Sequence, residues 1–327
     1  MIYLNFLAFA VALVILFKSA SYFVEGSCGI ASILNIPKLV IGVVLVSLGT
    51  TAPEFGVTFI AALRGKGEIA IGNAIGSVIC DDGIALGLAA LLAPAVILVN
   101  CRLLKTVGLF LISIDVLAYV LAKNGRVGRI EGLGLFLILC VYYLIIIRSQ
   151  RRNRSPKEEG RSAASSSNQE SCEFVKKSLR KPARLFLLGL IGVGSMSFVV
   201  VETAVKIANH FNVPEIIIGS TIVAIGTSLP EISTCITAAL KGEGELAVGD
   251  IIGADILNIL WIVGVASLVK PIEVDQDIIN FSFPFMILIV VVMLGSMRVG
   301  CRLGKFKGMI LLGLYILYAF LTFKFFI

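Results

Sequence analysis

Hydrophobic residues run through this chain in long blocks, each near the roughly 20 residues that a helix needs to cross a hydrocarbon core. Charged and turn-forming residues bound ten of them, at 2–24, 36–63, 67–95, 103–122, 129–147, 184–208, 214–240, 244–269, 278–297 and 305–326. Polarity reverses between the fifth and the sixth. There, Arg148–Arg184 holds eleven Lys/Arg, a Ser-rich stretch at Ser162–Ser167, and Pro156 and Pro182. That composition cannot bury a core and reads as a flexible linker. The pattern predicts an all-α polytopic membrane protein: five helices over 1–147, a basic linker over 148–183, and five helices over 184–327.

Composition agrees. The chain is 58% hydrophobic with a mean hydropathy of +1.00, against 45–50% apolar for a soluble domain. The first block lacks a basic leader and carries Lys18 inside it, so it reads as a retained helix rather than a cleaved signal. Seven cysteines (28, 80, 101, 140, 172, 235 and 301) form no CxxC or metal-ligand spacing. Most lie near apolar blocks, where a free Cys behaves as a small hydrophobe. The single histidine, His210, falls near a helix end and argues against a His relay or zinc site.

The net charge of +7 is a topology signal rather than a nucleic-acid one. With the linker in the cytoplasm, Arg102, Lys105, Lys241, Arg298, Arg302, Lys305 and Lys307 also fall inside. Arg64, Lys66, Lys123, Arg126, Arg129 and Lys270 fall outside, together with Glu273, Asp275 and Asp277. Both termini are then outside in a cell-membrane protein. Five helices per half is an odd number, so the halves enter the membrane from opposite sides. Inverted repeats of that kind place ion sites at the midplane of secondary transporters.

A duplication supports this. Gly42–Leu88 and Gly219–Val265 align without a gap at an offset of 177, with 18 of 47 positions identical. The same offset maps Glu25 onto Glu202, each expected to close the first helix of its half as an interfacial carboxylate or an ion-entry group. Gly49-Thr50-Thr51-Ala52-Pro53-Glu54 recurs as Gly226-Thr227-Ser228-Leu229-Pro230-Glu231. Proline withholds an N–H from the carbonyl four residues earlier, and such carbonyls in hydrocarbon need protein, water or ligand. Hydroxyls and one carboxylate stand beside each. Oxygen-rich clusters without nitrogen or sulfur suit hard cations, Ca²⁺ above all. Further along each repeat, Ser77 and Asp81 share a helix face, as do Ala254 and Asn258. Glycines four apart there (Gly72 and Gly76; Gly249 and Gly253) permit close helix approach.

The paired GTxxPE and G(S/A)xxx(D/N) segments resemble the α-repeats of the cation/Ca²⁺ exchanger superfamily, and the 5+5 layout is similar to its compact prokaryotic Na⁺/Ca²⁺ exchangers. The resemblance implies Ca²⁺ ligation by Glu54, Glu231, Thr50 and Thr227. It adds Thr51, Ser228, Ser77 and the carbonyls of Ser47 and Ala224 to the ion path, with Asp81 and Asn258 as the outer pair of a central diamond. Three departures stand out. The acid of that outer pair sits on the first repeat, at Asp81, with Asn258 on the second. Ala254 lacks the usual serine hydroxyl. Val78 and Asp255 replace an asparagine, and Asp82 adds a further acid; Asp255 and Asp82 are candidates for facing the ion path.

Na⁺-for-Ca²⁺ antiport is therefore the expected function, with Ca²⁺, Na⁺ and the bilayer as partners. No cofactor, nucleic acid or obligatory protein partner is expected. Exchange of Ca²⁺ or another divalent for H⁺ is the alternative, since crowded carboxylates make protons compete with cations. A remoter alternative is an intramembrane aspartyl protease using Asp81 and Asp250, which would need two carboxylates sharing a proton.

Overall fold

Helices occupy nearly all of the apolar blocks in the computed structural model, which describes residues 2–152, 179–211 and 224–326. In chain order they are α1 (Ile2–Leu34), α2 (Lys38–Thr50), α3 (Ala52–Leu63), α4 (Gly67–Leu92), α5 (Cys101–Ala122) and α6 (Arg129–Arg152). After the linker come α7 (Arg180–His210), α8 (Ala224–Thr227), α9 (Leu229–Leu240), α10 (Gly244–Val269), α11 (Phe283–Arg298) and α12 (Lys305–Phe326). Eight described helices are long and apolar enough to cross a membrane, and α2 with α3, bent by 49°, makes a ninth. The chain is a mostly helical multi-pass membrane protein. Most of the linker (153–178), Cys172 and the first part of the 214–240 block lie outside the described residues.

Helices α4 and α10 are the most deeply buried and carry the core. Leu246, Ala247, Val248, Ile251, Ile252 and Ile256 of α10 are all at most 1% exposed, as are Ala70, Ile71, Ala74, Ile75, Val78 and Ile79 of α4. Both contain a π turn, at Asp81–Ala85 and Asn258–Val263. Such turns are rare and concentrate at functional sites.

The loops are stitched together at both ends of the bundle. Strand β1 (Ile97–Leu98) pairs antiparallel with β4 (Arg302–Leu303), and β2 (Arg126–Val127) with β3 (Ile272–Glu273). Lys38 forms an ion pair with Glu243 on the β1–β4 side. These loops group as the charge pattern sorts them: 97–98 meets 302–303 on one face, and 126–127 meets 272–273 on the other. The structure also corrects the reading of the cysteines. Cys101 and Cys301 form a disulfide next to the β1–β4 pair, with Cα atoms 5.4 Å apart. Their separation of 200 residues leaves no mark in sequence spacing.

Two further corrections concern the first helix of each half. Glu25 does not close α1, which continues to Leu34, and Glu202 lies a full two turns before the end of α7. Each is accommodated because it faces outward: Glu25 is exposed, and Glu202 pairs with Lys206 at 2.7 Å. The residue after Glu25, Gly26, faces inward. A Cβ there would lie 2.4 Å from the backbone nitrogen of Phe186, and one on Gly189 would lie 2.4 Å from that of Phe23. Helices α1 and α7 therefore cross backbone to backbone. They also share a small core of their own (Ala12, Leu16, Ala20, Val193, Val200), separate from the main one. We expect Gly189→Val to lower the unfolding temperature in detergent, since forced overpacking costs about 1–3 kcal/mol. An unchanged temperature would show that the crossing is loose.

Candidate ion-binding site

The Gly-Thr-x-x-Pro-Glu segments act locally as helix restarts rather than kinks. Helix α2 stops at Thr50, Thr51 sits between helices (φ −74°, ψ −3°), and Pro53 falls in the first two positions of α3. Proline is well suited there, because its missing N–H would be unpaired anyway. The second motif repeats this with α8, Ser228 (φ −86°, ψ 8°), Pro230 and α9. Each glutamate thus occupies the first turn of a new helix, where the positive end of the helix dipole favours a carboxylate.

These restarts face each other across the two buried helices. Carboxylate oxygens of Glu54, Asp81 and Glu231, one from each of α3, α4 and α9, lie within 4.8 Å of one another. All three residues are fully buried. Ser228 Oγ donates to Glu54 Oε1 at 2.7 Å, tying the second motif to the first. Glu54 Oε2 and both oxygens of Asp81 and of Glu231 accept no hydrogen bond. Ser77 and Asn258 stand beside Glu54, yet neither closes a side-chain hydrogen bond. Among the described residues no Lys or Arg is buried. Buried carboxylates without basic partners call for a cation, and oxygens alone select a hard one.

The other expected residues divide by position. Thr50 Oγ1 lies 3.3 Å from the Val46 carbonyl, 3.2 Å from that of Ser47 and 3.1 Å from Asp250 Oδ1. Thr227 Oγ1 lies 3.4 Å from Asn73 Oδ1. Asn73 and Asp250 are repeat partners, so the two threonines are matched across the duplication. Asp250 was not among the expected ligands, although its place opposite Asn73 was the signal for it. Close backbone contact makes the Thr50–Asp250 meeting possible: a Cβ on Gly249 would lie 2.3 Å from the Leu39 carbonyl oxygen. Thr51 Oγ1 and the Thr51 amide both donate to the Ser47 carbonyl. Ser47 Oγ donates to Val43 O at 2.7 Å. Ala224 opens α8. Asp82 and Asp255 are fully buried but are not part of the Glu54–Asp81–Glu231 cluster. The aspartyl-protease arrangement is not formed, since Asp81 clusters with the two glutamates while Asp250 meets Thr50.

A profile of the family described as sodium/calcium exchanger protein matches residues 4–148 and 181–324, both halves with the linker left out. The chain belongs to the sodium/calcium exchanger family. Several prokaryotic relatives match along nearly their whole length. CaxA of Alkalimonas amylolytica, a putative antiporter, is 35% identical over 318 residues, covering 96% of this chain and 97% of CaxA. Sodium/calcium exchanger MaX1 of Methanosarcina acetivorans is 30% identical over 356 aligned positions, covering 100% of both. The sodium-calcium exchanger NCX_Mj, in a structure soaked with Na⁺ and Ca²⁺, superposes with a TM-score of 0.81 at 28% identity, covering 100% of both chains. The family supports cation/Ca²⁺ antiport as the activity.

Proposed function

We propose that this chain is a secondary active antiporter that exchanges Na⁺ for Ca²⁺ across the cell membrane by alternating access. The observation that carries the proposal is the buried Glu54–Asp81–Glu231 cluster, assembled from both repeats with its oxygens within 4.8 Å of one another. Glu54 and Glu231 are the central Ca²⁺ ligands in this reading, with Thr50 and Thr227 beside them. Asp81, Asn258, Ser77, Thr51, Ser228 and the carbonyls of Ser47 and Ala224 complete the ion path. Na⁺ occupies the same oxygens when Ca²⁺ leaves, so the two gradients are coupled by competition.

The fold in this proposal is ten transmembrane helices in two inverted five-helix repeats, with the linker cytoplasmic and both termini outside. The pairing of loops that share a predicted side supports that arrangement. On the same count the Cys101–Cys301 bond lies on the cytoplasmic face, where disulfides are uncommon. The eleven basic residues of Arg148–Arg184 are the stronger signal for orientation.

The test is ⁴⁵Ca²⁺ uptake into Na⁺-loaded proteoliposomes. An outward Na⁺ gradient is expected to drive uptake, and collapsing it to stop uptake. With several Na⁺ moved per Ca²⁺, an imposed membrane potential changes the rate. Full activity without Na⁺ under a pH gradient, and no response to potential, would replace this reading with H⁺-coupled exchange.

A further inference from the structure

Both motif threonines end a helix. Thr50 is the last residue of α2, and Thr227 the last of α8. Carbonyls in the final turn of a helix have no partner within it, so contacts from outside must fix where such a residue sits. In each case a residue of the opposite half makes that contact. Thr50 Oγ1 lies 3.1 Å from Asp250 Oδ1 on α10, and Thr227 Oγ1 lies 3.4 Å from Asn73 Oδ1 on α4. The offset of 177 that maps Thr50 onto Thr227 also maps Asn73 onto Asp250. One contact is thus made twice, once by each half.

The direction of each hydrogen bond follows from what the neighbours can accept. A hydroxyl has one proton, and a carboxylate only accepts. Of the three acceptors around Thr50 Oγ1, the Ser47 carbonyl already takes the amide and the hydroxyl of Thr51. The Val46 carbonyl is the farthest, at 3.3 Å. Asp250 Oδ1 is the nearest and receives the proton. On the other side, Asn73 Nδ2 donates to the Glu54 carbonyl at 3.4 Å and to Thr58 Oγ1 at 3.0 Å. Both of its hydrogens are used, which leaves Oδ1 to accept from Thr227. Asn73 thereby ties Thr227 to the backbone of Glu54.

What the two copies share is an oxygen, Oδ1, while their charge differs. An acceptor, rather than a negative charge, is what this position supplies to the threonine. Asp250 is fully buried, yet it is not part of the Glu54–Asp81–Glu231 cluster. It reaches the ion path through Thr50 and not directly. Its own place is set by the close crossing of α2 and α10: a Cβ on Gly42 would lie 2.7 Å from the Asp250 backbone nitrogen. The bond therefore joins two backbones already in contact, and little further entropy is lost in ordering it.

We propose that Asp250 and Asn73 are positioning residues. Each accepts the hydroxyl proton of the other half's motif threonine, and so holds the end of α2 or α8 where its oxygens face the cation. The proposal rests on the reading of Thr50 and Thr227 as ion ligands, and adds that each half of the site is set by the buried helix of the other.

Equilibrium ⁴⁵Ca²⁺ binding to the purified full chain tests this through a double-mutant cycle. Asp250→Ala and Thr50→Val break the same bond, the second with the shape of the side chain kept. We expect each to weaken Ca²⁺ binding about tenfold. The double variant should be no weaker than the more impaired single one, because the bond can be lost only once. Asp250→Asn, which copies the mirror residue and retains Oδ1, should recover most of the affinity. Should Asp250→Ala fail to run as a single species on gel filtration, the same cycle with Asn73→Ala and Thr227→Val replaces it. Losses that multiply in the double variant would overturn the proposal, as would binding indifferent to Thr50→Val. An Asp250→Asn protein as weak as Asp250→Ala would overturn it too, by making charge the cause. A parental protein that binds Ca²⁺ without coupling its uptake to Na⁺ would instead refute the exchange reading, with the positioning role decided by the binding cycle.

Discussion

Replacing Glu54 or Glu231 by glutamine is expected to reduce ⁴⁵Ca²⁺ exchange by about a hundredfold or more, since removing one member of a buried charge cluster costs about 3–5 kcal/mol. Each substitution deletes a charge and a strong oxygen ligand from a site that must balance a dication. The shape of the side chain is kept, so the amide oxygen introduced by Glu54→Gln can still accept the hydrogen bond that Ser228 Oγ gives to Glu54 Oε1. Stability should move the other way. In the absence of ions Glu231 is a buried acid with neither oxygen bonded, so the Glu231→Gln protein should unfold in detergent at an equal or higher temperature. Flux and melting together separate loss of function from loss of fold. Parental transport by both single variants would refute the site.

The exchange of Asp81 and Asn258 probes the arrangement more finely. Asp81 supplies one of the three clustered carboxylates, and Asn258 stands by Glu54 with both polar atoms unbonded. Each opens a π turn at matched positions of the two repeats. Asp81→Asn alone should weaken Ca²⁺ transport about tenfold, the effect of roughly 1.4 kcal/mol. Adding Asn258→Asp returns the charge to the same cluster from the opposite side. We expect the double variant to recover part of the loss. Recovery stays incomplete, because Ala254 offers no hydroxyl next to the relocated acid. Purely additive losses would mean that the two positions do not share one ion.

Much of this was legible in the chain. Hydrophobic blocks of spanning length, interrupted once by a basic linker, required a multi-pass helical protein, since a chain in lipid must satisfy its backbone internally. The duplication named the central residues, because buried Pro-Glu pairs at one offset have no packing explanation. Helix boundaries were less legible. The 33-residue α1 outruns its apolar block, as hydrogen bonding along a helix continues past the point where side chains turn polar. A proline within an apolar block suggests a kink, whereas at Thr51 and Ser228 one helix ends and the next begins, with proline in its first turn.

What the sequence determined by itself was the class of protein, its internal duplication and the pair of oxygen-rich motifs, all of which depend on residue type and spacing along one chain. Tertiary structure decided which oxygens meet. It joined Asp81 to Glu54 and Glu231, and gave Ser228 to Glu54 and Asp250 to Thr50. It also bonded Cys101 to Cys301 across 200 residues. Each of these contacts joins positions far apart in the chain or on helices whose rotation is fixed only by packing. Local periodicity orients a side chain relative to its own helix, whereas the partner it reaches is set by how close glycine faces such as that of Gly249 let two helices come.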